Sequence, residues 1–306
     1  MLAAHRIMFF ETPWLTVAVV FGALVAGLFA GGTAYTVAWR LTNDRHVLGR
    51  SYCPHCGHPL TMRETIPLFS WISQRGNCNY CGEPVSMAYP TSELLGAGVF
   101  ASVILRYGLS MQTLEVLIFA FVLMVIATTS LIDYSIRNSC LFVAVLVRLA
   151  YLAMLFVRGE GGAALLTSSL VGALALGVPL AIAVFLSDAM LARDISGMGT
   201  VKLVAVVGLY LGWQQGLLAI ALAFGLGTVV WLVSPYKLLA VEVAGGSGRD
   251  GGDVADMPLP RDLRATMEED IAEPMRMIPF APSIVIACWG MLLLGISVAA
   301  WNAPLF

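Results

Sequence analysis

The stretch that decides the fold is WLTVAVVFGALVAGLFAGGTAYTVAW, Trp14 to Trp39. It carries no charged side chain and is long enough to cross the hydrocarbon core of a bilayer, which takes about 20 apolar residues in a helix. It is too long for the core of a cleavable signal peptide. In hydrocarbon every backbone amide must be paired within its own segment, so such a run is a helix. Outside it the same character recurs. Of 306 residues, 59% are hydrophobic and 12% are charged, against about 25% charged in an average soluble domain. The net charge of −2 offers no basic balance for nucleic acid, and no nucleic-acid partner is expected.

Further runs lie at roughly 93–106, 113–132, 140–157, 164–187 and 282–302. The run from Val201 to Ser234 is too long for one span, and Gly212-Trp213-Gln214-Gln215-Gly216 supplies a break. The pattern predicts an all-α, polytopic membrane bundle of about eight spans. Three regions follow: an N-terminal segment with the first helix (1–39), a polar cysteine-bearing domain (40–92), and a membrane domain (93–306) with a second polar loop at 235–279. That loop, around Gly245-Gly246-Ser247-Gly248-Arg249-Asp250, reads as a flexible connector, because a phosphate-binding glycine loop would follow a strand.

Arginine and lysine set the orientation. With 40–92 in the cytoplasm, that side collects Arg40, Arg45, Arg50, Arg63, Arg75, Arg137, Arg193, Lys202, Lys237, Arg249, Arg261, Arg264 and Arg276. The far side keeps Arg6, Arg106 and Arg158, and Arg148 falls inside a span. This is the positive-inside asymmetry. It places both termini on the far side and the turns near Asp133 and Gly199 in the cytoplasm.

Cys53-Pro54-His55-Cys56-Gly57 and Cys78-Asn79-Tyr80-Cys81-Gly82 are two Cys-x-x-Cys pairs with 21 residues between them. Paired thiolates at this spacing suit a tetrahedral metal, and the glycine after each pair permits the turn that aims amides at sulfur. In a reducing cytoplasm disulfides are the poorer alternative. Structural zinc on Cys53, Cys56, Cys78 and Cys81 is expected, with His55 and His58 redundant. A four-thiolate site is closed, so it holds the loop together and does no chemistry. Cys140 and Cys288 read as small buried hydrophobes.

Two turns carry candidate chemistry. Asp133, in Ile132-Asp133-Tyr134-Ser135-Ile136-Arg137-Asn138, ends a span. A carboxylate there has either a task or a partner, Arg137 being the nearest candidate. Gly197-Met198-Gly199-Thr200-Val201-Lys202 opens another span, with Thr200 suited to cap it.

Taken together, these stretches resemble the bacterial type IV prepilin leader peptidases, which are also prepilin N-methyltransferases. The resemblance rests on Arg50-Ser51-Tyr52-Cys53-Pro54-His55-Cys56-Gly57, Ile66-Pro67-Leu68-Phe69-Ser70-Trp71, Arg75-Gly76-Asn77-Cys78, Tyr89-Pro90-Thr91-Ser92-Glu93-Leu94 and Ile278-Pro279-Phe280-Ala281-Pro282. It implies an aspartic peptidase in the bacterial inner membrane with its zinc lobe in the cytoplasm. The implied partners are the leaders of type IV pilin-like or type II secretion pseudopilin precursors, and the implied methyl donor is S-adenosylmethionine. The family's first aspartate matches Asp133, although the turn after it reads Ile136-Arg137-Asn138 without the family's proline. The second ends a Gly-x-Gly-Asp motif, which here reads Gly197-Met198-Gly199-Thr200. Aspartic proteolysis needs two carboxyl groups sharing one proton, and threonine cannot complete that pair. Asp194, or Asp188, is the candidate substitute acid. The resemblance therefore leaves three readings: a peptidase with an improvised partner, a non-proteolytic precursor-binding relative, and an enzyme of methyl transfer alone.

Overall fold

A computed structural model describes residues 13–47, 49–133, 135–159, 162–191, 198–233 and 280–294. Asp194, Gly197 and the loop at 235–279 lie outside these. The described helices are α1 (Pro13–Thr42), α2 (Phe69–Ser73), α3 (Ala88–Tyr107), α4 (Met111–Asp133), α5 (Asn138–Val157), α6 (Gly162–Leu191), α7 (Met198–Val233) and α8 (Phe280–Leu294). No strand occurs among the described residues; two isolated bridges, Tyr52 with Pro59 and Asn77 with Pro84, lie in the lobe between α1 and α3. Six helices, α1 and α3 to α7, are long and apolar enough to cross a membrane, and α8 is a shorter apolar helix.

The expected break in the long run is real. α7 is interrupted at Gly212, whose φ of 73° and ψ of 177° no helix contains, so 198–233 is two helical segments. Only glycine occupies that left-handed region without a Cβ penalty. The expected second segment, 93–106, extends further: α3 begins at Ala88, before its apolar run, and carries Tyr89, Ser92 and Glu93 on its first turns.

Apolar side chains gain nothing by leaving lipid for one another, so close backbone packing between small residues holds membrane helices together. Two pairs do this. In α1, Gly27 and Gly31 lie against Gly96 and Ser92 of α3, so near that a Cβ on Gly27, Gly31 or Gly96 would overlap the opposing backbone. In α6, Gly172 meets Gly208 and Gly212 of α7 in the same way. The centre is filled by Phe119 and Ile126 of α4, Leu203 and Val207 of α7, and Met291 of α8, all buried. Phe119 stacks on Tyr210 with ring centroids 3.6 Å apart, and the Tyr210 hydroxyl donates to the Ala144 carbonyl at 2.8 Å.

One polar feature in this core joins four helices. Arg148 of α5 donates to Glu115 of α4 at 2.8 Å and to Ser169 of α6 at 3.0 Å, and its guanidinium lies 5.2 Å from the Tyr210 ring centre on α7. Arg148 and Glu115 are both buried. A charge inside a membrane bundle is held by such partners or not at all.

Candidate metal centre and membrane-end turns

The two cysteine pairs fold as copies of one another, offset by 25 residues. The Cys53 amide donates to the His58 carbonyl at 2.9 Å, as that of Cys78 does to Glu83 at 2.8 Å. The Gly57 amide returns to the Cys53 carbonyl and that of Gly82 to the Cys78 carbonyl, both at 2.9 Å. Leu60 closes on Ser51, and Val85 on Gly76. Each return passes through a glycine in the left-handed region, Gly57 with φ of 70° and Gly82 with φ of 75°, the positions the sequence marked for a turn.

This brings the four Sγ atoms of Cys53, Cys56, Cys78 and Cys81 within 4.8 Å of one another, with Cys53 and Cys81 3.9 Å apart. Four sulfurs at about 2.3 Å from a tetrahedral zinc lie about 3.8 Å from each other, so the cluster fits one metal ion. Cys53 and Cys78 are buried, while Cys56 and Cys81 are exposed. The amides of Cys81 and Tyr80 hold the Cys78 thiol down to about 7. Cys81 also takes the Glu83 amide, which lowers it, but partial desolvation by the surrounding sulfurs and the neighbouring thiols of Cys78, Cys56 and Cys53 push it to about 12. Four thiols in one pocket cannot all ionise without a cation among them. His58 stacks on Tyr80, with centroids 3.4 Å apart, and lies outside the sulfur set. Glu64 accepts from the Thr61 amide at 2.8 Å and from Asn79 at 3.3 Å, tying the intervening turn to the second pair.

Two anchors seat the lobe on the helices. Arg40, buried at the end of α1, donates to the carbonyls of Val47 at 2.7 Å, Gly49 at 3.2 Å and Arg50 at 3.0 Å. Glu93 of α3 accepts the Leu68 amide at 2.7 Å. In the sequence Arg40 reads only as an orienting charge. Its acceptors are backbone carbonyls, which every residue carries, so no residue type could betray the clamp. Glu93 lies in the Tyr89–Leu94 stretch, where the sequence shows no partner for it.

Asp133 is the last residue of α4 and half exposed. It accepts the Ser135 hydroxyl at 3.0 Å and lies 3.7 Å from the Arg137 guanidinium. Arg137 stands equally far, 3.7 Å, from Asp44 at the end of α1. The expected Asp133–Arg137 pairing is thus present, with Asp44 as an unforeseen third member. The start of α7 lies against this turn: a Cβ on Gly199 would approach Cβ of Ile136 to 3.2 Å, and Lys202 donates to Asn138 at 3.1 Å. Thr200 falls between those two contacts. It is the third residue of α7, whose helix begins at Met198, so it does not cap the helix as the sequence suggested. Asp188 is within α6, and Asp194 is outside the described residues. Cys140 and Cys288 are buried, as expected of small apolar side chains.

Comparison with known proteins adds three results. Residues 25–107 match the bacterial peptidase A24 N-terminal domain; they span the second half of α1, the lobe and α3. The chain is 29% identical over 252 residues to a prepilin leader peptidase/N-methyltransferase of Aeromonas hydrophila, covering 82% of this chain and 74% of that protein. Proteins of the same name from Myxococcus xanthus and Bacillus subtilis are 31% and 34% identical over 222 and 108 residues, covering 72% and 35% of this chain and 64% and 44% of theirs. No solved structure matches the chain at a significant level.

Proposed function

Because this chain belongs to the prepilin leader peptidase/N-methyltransferase family, we propose that it engages the leaders of type IV pilin-like or type II secretion pseudopilin precursors at the cytoplasmic face of the bacterial inner membrane. Asp133 and Thr200 mark the place where it does so, and the cysteine lobe carries structural zinc on Cys53, Cys56, Cys78 and Cys81. Zinc there would tie the two pairs together and leave no coordination position for substrate.

The observation that carries the reading is the seating of the Gly199–Lys202 segment against the Ile136–Asn138 turn. It brings the helix start bearing Thr200 to the turn that follows α4, whose last residue is Asp133. By the family's chemistry one carboxyl group there is ionised and takes a proton from water, while the other is protonated and polarises the scissile carbonyl. Thr200 can donate a hydrogen bond but cannot act as either partner. We therefore assign precursor binding without the ordinary peptidase step. Methyl transfer from S-adenosylmethionine to a precursor's N-terminus does not require the second aspartate.

The test is cleavage of a pilin-like precursor by the full chain in detergent, beside Asp133→Ala and Thr200→Asp. No cleavage by the parent, precursor binding retained, and cleavage gained in Thr200→Asp support the reading. Parental cleavage abolished by Asp133→Ala overturns it and points to a substitute acid such as Asp194 or Asp188. Transfer of labelled methyl groups to a pre-cut precursor measures the remaining activity separately.

A further inference from the structure

The lobe returns to the membrane through α3, and one hydrogen bond sets the level of its apolar edge. Glu93 lies on the second turn of α3 and holds the Leu68 amide at 2.7 Å. Immediately after Glu93 come Leu94 and Leu95, both exposed, on a helix apolar enough to cross a membrane. Exposed leucines on such a helix face lipid. Leu68 is therefore tied to the level at which the lipid-facing surface of α3 begins.

The residues around Leu68 divide sharply by direction. Trp71 points into the lobe: its indole nitrogen donates to the Val85 carbonyl at 3.2 Å, and its ring fills the space where a side chain on Gly76 would stand. Phe69 and Ile72, three apart on α2 and so on one face, point outward and are 63% and 67% exposed. Ile66 and Met62, which precede α2, are exposed as well, at 41% and 91%. Arg63 and Arg75, both exposed, bracket it. Exposed apolar groups flanked by arginines are the composition of segments that rest in the headgroup and acyl boundary.

We propose that the Ile66–Ile72 edge of the cysteine lobe inserts into the membrane interface, with Phe69 and Ile72 in the acyl boundary and Arg63 and Arg75 against anionic headgroups. The apolar surface of α3 then continues onto the lobe without a gap. The lobe is held against the bilayer at a fixed height, and α1 and α3 are not its only supports. The inference rests on the membrane reading of α3 and is independent of the precursor reading.

The experiment places a benzophenone amino acid at position 69, 72 or 55, the last on the first cysteine turn, in the full chain. Each variant is reconstituted in nanodiscs of phosphatidylcholine with a minority of phosphatidylglycerol. After illumination, mass spectrometry is expected to find lipid adducts at 69 and 72 several-fold above those at 55. Equal yields at all three positions overturn the proposal. So do adducts at 69 and 72 that form only to an added pilin-like peptide, which would make the edge a polypeptide-binding surface. Phe69→Ser with Ile72→Ser provides a second readout, scored only on protein that retains metal on the cysteines. Deuterium uptake across 66–73 in the same nanodiscs is expected to rise several-fold. Unchanged uptake overturns the proposal.

Discussion

Arg148 donates to Glu115 at 2.8 Å inside the bundle, with both side chains buried, and the same guanidinium reaches Ser169 and the face of Tyr210. Each member sits on a different helix, so the pair fixes the relative rotation of α4, α5, α6 and α7. Removing one charge strands the other, buried and unpaired. Glu115→Ala or Arg148→Ala is expected to cost about 3–5 kcal/mol, whereas replacing both by apolar side chains of similar volume is expected to cost far less. Thermal unfolding in detergent checks this. A single variant as stable as its parent contradicts it.

The cysteine cluster predicts a pH dependence. Only thiolates ligate metal, so protons compete with it. Cys78, held down to about 7 by the amides of Cys81 and Tyr80, is about half ionised at neutral pH and protonates further as pH falls below that value. Its depressed thiol contributes stability at high pH that is lost as pH drops through about 7. Metal extraction by a chelator is therefore expected to accelerate steadily below neutrality, and Cys78→Ser is expected to abolish stoichiometric metal. Extraction at one rate on both sides of neutrality, or retained metal in the serine variant, speaks against the assignment.

The glycine contacts predict a steric effect. A side chain on Gly96 must displace the backbone of α1 at Gly27 and Gly31. Gly96→Val is expected to destabilise by at least the 1–3 kcal/mol typical of overpacking. Gly98, which has open space around it, serves as the control, and Gly98→Ala is expected to be nearly silent. The melting temperatures of the two variants, compared in one detergent, decide this.

Arg137 predicts a small stability effect. Its contacts to Asp133 and Asp44 are 3.7 Å long and partly exposed, so Arg137→Gln is expected to change stability by less than about 1 kcal/mol. In a Thr200→Asp background the same change is expected to lower the rate of any restored cleavage, because it removes a side chain that holds Asp133 in place. An unaltered rate would separate Arg137 from the chemistry.

The glycine after each Cys-x-x-Cys pair announced a turn, and both adopt it. The Gly212 break within an overlong apolar run was also legible, because a helix cannot accommodate that length in one bilayer crossing. Thr200 has the residue type of a cap, but the helix begins two residues earlier. The pairing of Arg137 with Asp133 was visible because the two are four residues apart. The second bond of Arg137, to Asp44, was not, because nothing local links α1 to the turn after α4.

By itself the sequence determined which segments are helices in a membrane, that four cysteines converge, and which family motifs stand or are altered. These follow from composition, spacing and residue type, all of which are local. Only the tertiary structure decided that Glu115 answers Arg148, that Arg40 and Glu93 seat the lobe on α1 and α3, and that the start of the helix bearing Thr200 lies against the Ile136–Asn138 turn. Each of these joins residues distant in the chain, and a partner chosen by packing, often a backbone carbonyl or amide, leaves no mark in the order of the residues.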